Sequence, residues 1–277
     1  VSDENNAAPL ASFAAKWSAA RPEFALARTF VDADTRDAYS AFACIAFELE
    51  HAAFGIREAQ PAAIKLQWWA EEMQRAASGA PRHPLTIALG DRIGPLADWH
   101  AAIVGAFAQR DAEPAADIDA WLAHAERFFT SVGVIEASLF GGDATAIARA
   151  SSLARALRET AALPIALRDG KLPLPLDVLA RHRLSRGDLS NASPARRAAV
   201  GAWIAAIAAA MDVIARRKPP ANASAGPLRA AMAAADAART LDASKADDPV
   251  AALDAGLSRL STGAVWRAWR AARRSRA

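Results

Sequence analysis

The stretch Ala63-Ile-Lys-Leu-Gln-Trp-Trp69 organises the reading of this chain. With Met73 it continues an apolar helical pattern expected to begin near Pro61 and to stop around Ser78-Gly79-Ala80-Pro81, where glycine and proline end helices. Successive helix residues differ by about 100° in direction, so Trp68 and Trp69 cannot point the same way. One is expected to face the core and the other a groove or partner. On packing grounds alone a structural role is favoured for the pair.

Working outward, Phe42, Ile45, Leu49, Ala52 and Ile56 recur at helical spacing after Asp34, a candidate N-cap with Asp37 three residues on. Short helices are expected to Ala108. A long one should run from about Asp117 to Phe140, closed by Gly141-Gly142, and the next should begin near Asp143. Pro164 should kink or end that helix, because proline lacks the amide donor and clashes with the preceding turn. Lys171-Leu-Pro-Leu-Pro175 predicts an extended connector, then a helix from Pro175 at N1 to His182. Ser193-Pro194 opens a helix to Arg217, ended by Pro219-Pro220. A small-residue loop at 221–225 precedes helices over roughly 227–241 and 250–274.

Every element in this pass is helical. The chain has 277 residues and is 53% hydrophobic, enough for a sizeable core. Alanine, leucine, arginine and glutamate dominate, all good helix formers, and β-branched runs are scarce. The expected class is all-α, a single domain over 1–277 packed through small residues, with a basic Trp/Arg-rich helix at about 250–277. The net charge of +3 does not call for nucleic acid, and none is expected as a partner. A lone cysteine, Cys44, excludes an intrachain disulfide and reads as a buried thiol. The first residues have neither the basic start nor the apolar stretch of a signal peptide. No membrane span is expected, and Ala198 to Val213 reads as a buried helix. The expected location is the cytoplasm, with a peripheral place at a membrane surface as the second expectation.

Catalytic and metal motifs are few. There is no G-x-G-x-x-G, P-loop or G-x-S-x-G, and the five histidines are scattered without metal-binding spacing. Asp32 with Asp34, Asp117 with Asp119, and Asp247 with Asp248 precede helices, where carboxylates cap free amides.

Two segments rise above this background. Residues 63–69 are similar to a pattern like E-I-R-L-Q-W-W. Gly170-Lys-Leu-Pro-Leu-Pro-Leu-Asp-Val-Leu-Ala-Arg-His-Arg-Leu184 is similar to G-R-x-Y-L-P-x-D-x-L-A-R-H-G-L, with Pro173 in place of the tyrosine. Together they resemble the squalene/phytoene synthases, over roughly residues 25 to 240. The resemblance implies an isoprenoid synthase fold, a single helical bundle around an apolar cavity that holds a prenyl or other lipid chain. It also implies the joining of two prenyl diphosphates head to head. Magnesium, held by two aspartate-rich motifs, assists departure of the diphosphate.

The departures are as informative as the match. Counted back from Trp68, the first motif falls at Glu50, His51 and Phe54, and only Glu50 keeps a carboxylate. Phe47 stands where active members carry a phosphate-binding arginine. The second motif falls at Ala162 and Ala166, and no Asp or Glu occurs from Thr160 to Arg168. The magnesium ligands of the resemblance are therefore expected to be missing: no metal site and no cofactor. Ordinary synthase activity is not expected.

Three expectations about function follow. The degraded pattern resembles the branch of this fold that includes a mitochondrial respiratory complex I assembly factor, which implies a non-catalytic binding or assembly role. In that reading Glu48 and Glu50 form ion pairs with Arg155 and Arg158, on a site that also holds His51 and Lys65. The alternative keeps a prenyltransferase, with Lys65, Arg155 and Arg158 binding diphosphate without metal. Separately, Trp266, Arg267, Trp269, Arg270 and Arg273, with Arg274, mark a membrane or partner contact.

Overall fold

The computed structural model of the chain describes residues 3–111, 113–220 and 222–276. The ends of the 1–277 span and the first residue of the loop expected at 221–225 lie outside the described residues. Among the described residues all regular structure is helical. The chain falls into two compact units. The first is Val1–Ala112 with Glu126–Arg149 and Pro219–Leu228; the second is Glu113–Ala125 with Ala150–Lys218 and Arg229–Ala277.

The first unit contains α1 (Asp3–Ala20), α2 (Pro22–Ala27), α3 (Arg36–Glu50), α4 (Ala59–Ala77), α5 (Pro84–Leu89), α6 (Leu96–Ala108) and most of α7 (Ile118–Phe140). At its centre, α3 packs against α1, α5 and α6. The predicted apolar series is seen in burial: Phe42, Ile45, Leu49 and Ala52 are all buried. Each large member contributes about 1.5–3 kcal/mol by leaving water. The helix begins two residues after the expected cap: Asp34 lies in a turn and Thr35 is the N-cap, its hydroxyl donating back to the Asp32 carbonyl at 3.3 Å instead of accepting from a helix amide. Ile56, the last of the predicted series, lies beyond the helix in extended backbone.

Between Glu50 and Ile56 the helix widens. His51–Gly55 is a π turn, closed by the Ile56 amide donating to the His51 carbonyl over 3.0 Å. Helix C-termini leave carbonyls without partners. Arg110 answers this need, donating from Nη1 to the carbonyls of Ala52 at 2.8 Å and Ile56 at 2.9 Å, and from Nη2 to that of Arg57 at 3.1 Å. At the end of α7, Gly141 has φ +73°, and a Cβ there would lie 2.0 Å from the Asn222 carbonyl oxygen. Only glycine fits that turn.

The second unit is built from most of α8 (Ala144–Ala161), then α9 (Leu163–Arg168), α10 (Leu176–Arg181), α11 (Pro194–Arg216), most of α12 (Gly226–Ser244), α13 (Pro249–Ser258) and α14 (Thr262–Arg276). Pro164 acts as expected: α8 stops at Ala161, and the proline enters the first turn of α9, where its missing amide costs least. The proline-rich connector is extended. The amides of Leu176 and Asp177 donate to the carbonyls of Ala115 and Ala116, both at 2.9 Å. Pro175 is the N-cap of α10, one position before the predicted N1.

Helix α10 closes in a Schellman motif, with Leu184 N–H to Leu179 O at 2.9 Å and Arg183 N–H to Ala180 O at 3.1 Å. Arg183 has φ +54°, the only positive φ outside glycine among the described residues. It stands where the pattern quoted above carries glycine.

Small side chains let the helices of this unit close in. Ala215, Ala230, Ala233, Ala234 and Ala271 of α11, α12 and α14 form one buried cluster. A Cβ on Gly201 would lie 2.9 Å from the Ser244 carbonyl oxygen. Ser193 caps α11, accepting from the Arg196 amide at 3.0 Å. By length and mean hydropathy, 2.0 over its most apolar window, Pro194–Arg216 could cross a membrane, an exception to the expected absence of spans; 50% of that window is buried in the fold, as for a core helix. The single helix expected at 250–274 is two. Arg259 is extended, and Ser261 starts α14 by accepting from the Ala264 amide at 3.2 Å. A second cap inside the run outweighed its continuous helix propensity.

Candidate functional site

In the first unit α1, α3 and α4 converge on Glu48. Burying a carboxylate is costly unless its charge and lone pairs are met. Here Oε1 accepts from Lys16 Nζ at 2.5 Å and from Trp17 Nε1 at 3.0 Å, and Oε2 accepts from Lys65 Nζ at 2.5 Å. Burial alone would raise the Glu48 carboxyl. The hydrogen bonds from Lys16 and Lys65 outweigh it and hold the group below the ordinary glutamate value of 4.5.

Two residues on, Glu50 is also buried and accepts from Arg21 Nη2 at 2.6 Å. The Arg21 guanidinium lies 4.0 Å over the Phe47 ring. An arginine thus stands beside position 47, supplied by residue 21. His51 opens the π turn, its ring 6.5 Å from that of Trp17. Phe54 stacks on Phe129 at 6.0 Å.

Next to Glu48 is an open cleft of about 510 Å³, lined mainly by Phe13, Pro61, Ile64 and Trp68, with polar groups from Glu48, Lys65 and His83. The tryptophan pair divides as its spacing predicts: Trp69 is 2% exposed and Trp68 40%. The His83 ring sits between Phe13 at 4.9 Å, Trp69 at 5.0 Å and Trp68 at 5.4 Å. Burial pushes its pKa below 6.5, against the pull of Glu72 and Glu48. Its Nδ1 accepts from the Leu85 amide at 3.2 Å, placing the proton of the neutral ring on Nε2. Glu72, fully buried on α4, fixes this corner by accepting from the amides of Arg82 and His83, both at 2.8 Å, and from Thr86 Oγ1 at 2.6 Å.

The remaining predicted residues lie in the second unit. Arg155 and Arg158 are half-buried on α8, and Arg155 pairs along its own helix with Glu159 at 3.1 Å. Ala162 is the N-cap of α9 and Ala166 lies within it; neither side chain has a donor atom for a cation. Among the described residues no group of three or more His, Cys, Asp or Glu side chains is gathered as a metal ion would require. Cys44 is buried, and burial pushes its thiol up to about 12, an unreactive state.

On α14 the structure brings the predicted surface residues together. Trp266 and Trp269 are exposed, with Arg270 4.5 Å over the Trp266 ring and Arg273 4.8 Å over that of Trp269. Sequence reasoning missed Lys16, Trp17, Arg21 and Arg110. Each works through a partner 29 to 58 residues away in sequence, and no local spacing announces such a pair.

The fold is shared with enzymes of isoprenoid synthesis. A squalene synthase, HpnC from Alicyclobacillus acidocaldarius, superposes with a TM-score of 0.60 at 14% identity, over 79% of this chain and 85% of its own. A dehydrosqualene synthase solved with a ligand superposes with a TM-score of 0.60 at 13% identity, over 87% and 86%. No curated protein sequence matches. The squalene/phytoene synthase family pattern matches residues 18–270, and the chain belongs to that family.

Proposed function

We propose that this member of the squalene/phytoene synthase family is a non-catalytic binding or assembly protein, comparable in role to the complex I assembly branch. The carrying observation is the state of the carboxylates at the first motif. Glu48 is taken by two lysines and Glu50 by an arginine. A magnesium–diphosphate group needs carboxylates free to face the metal, and Ala162 and Ala166 add none. The donor set does not fit that group. The cleft beside Trp68 supports binding of a prenyl or other lipid chain, since aromatic and aliphatic walls favour apolar ligands. The proposed location is the cytoplasm, and the exposed Trp266 and Trp269 support a peripheral place at a membrane surface as the second reading.

The alternative is a prenyltransferase with a modified site, in which cationic side chains of the protein hold the diphosphate in place of magnesium. The test is to incubate the folded chain with farnesyl or geranylgeranyl diphosphate, with and without magnesium, and to follow diphosphate release. No release, with lipid binding retained, supports the binding role. Release that requires magnesium overturns it, and release without magnesium favours the alternative.

A further inference from the structure

We infer that α14 is the face by which this protein docks on an anionic lipid surface. The inference deepens the membrane part of the proposed function and stands apart from the question of catalysis. Helix α14 is amphipathic in an unusual sense. Its buried stripe is Ala264, Ala268, Ala271 and Ala272, while its largest apolar side chains, Trp266 and Trp269, face outward at 54% and 44% exposure. Tryptophan is costly to leave in water and is preferred where an apolar body meets a polar boundary.

Charge selects the lipid. From Arg259 to Ala277 there are six arginines and no Asp or Glu, twice the net charge of the whole chain. The helix dipole accounts for arginines in the last turn, Arg273, Arg274 and Arg276. It does not account for Arg267 and Arg270, which lie before that turn. Arg270 and Arg273 rest on the two indoles instead of on carboxylates, leaving their charge to face outward. A basic, tryptophan-bearing helix held to the fold by alanines can lie flat in the headgroup layer, with its indoles at the acyl boundary and its guanidinium groups among lipid phosphates.

The test uses the full chain and flotation with two vesicle types, phosphatidylcholine alone and phosphatidylcholine mixed with phosphatidylserine. Binding is expected only to the mixed vesicles and should weaken as salt is raised. The variants W266A/W269A and R267Q/R270Q/R273Q/R274Q, checked for unchanged thermal unfolding, should each lower the bound fraction about tenfold or more. Equal binding to both vesicle types, no binding to either, or unchanged binding by both variants overturns the inference. So does capture of an acidic polypeptide or RNA through α14 without vesicle binding. Diphosphate release, measured separately, reports on the catalytic question whichever way the vesicles answer.

Discussion

Lys65 Nζ lies 2.5 Å from Glu48 Oε2, while Lys16 holds Oε1 of the same carboxylate at 2.5 Å, so one buried anion joins α1, α3 and α4. Removing the anion leaves two ammonium groups facing each other across a neutral amide. We expect Glu48→Gln to cost about 2 kcal/mol in urea unfolding, and Lys65→Met about 1 kcal/mol, since Lys16 remains to compensate. Equal stability of Glu48→Gln and the parent chain would show that solvent screens the cluster.

Acid should weaken the first unit in two stages. The His83 pKa lies below 6.5, so the unfolded state takes up its proton first and stability falls as pH drops below that value. Glu48 and Glu72 lie below 4.5; their contribution is complete above it and disappears as pH falls through their folded values. Thermal melts from pH 8 to pH 3 should show both losses. Glu48→Gln should shrink the second and, by removing an anion that favours the His83 cation, deepen the first.

Arg183 holds a left-handed backbone that costs a non-glycine residue roughly 1 kcal/mol. Arg183→Gly is therefore expected to raise stability by up to about 1 kcal/mol, partly offset by the freer unfolded chain. An unchanged or lower melting temperature would mean that this arginine makes a compensating contact.

The adjacent tryptophans should separate in their roles. Trp69→Ala empties a buried position and should cost about 3–5 kcal/mol. Trp68→Ala should cost less than about 1 kcal/mol and instead weaken binding of an aliphatic or prenyl probe in the cleft, measured by displacement of an environment-sensitive dye. If Trp68→Ala is the more destabilising, the cleft wall is a structural element.

What could be read from the sequence was local. The apolar spacing of Phe42, Ile45 and Leu49, the division between Trp68 and Trp69, and the stop at Pro164 all follow from one turn of helix or one missing amide. The break before α14 was also written locally, in Ser261, but lay hidden in a run of good helix formers. The cations around Glu48 and Glu50 were not legible in this way. Nothing in the residues next to Lys16 or Arg21 in sequence marks either as the partner of a buried carboxylate. Their role exists only once α1 is folded against α3.

The wide turn at His51–Gly55 decides how the residues beyond α3 are placed. An amide bonded five residues back instead of four adds a residue to the turn, and everything beyond it is rotated. Side chains after the turn leave the stripe that α3 buries: Ile56, last of the apolar series, is only half-buried. Exchanging side chains is a reversible edit; changing the pitch of the backbone is not. Altering what this turn presents would take a change in chain length there and release of the Arg110 hold on its carbonyls, not a change of side chains alone.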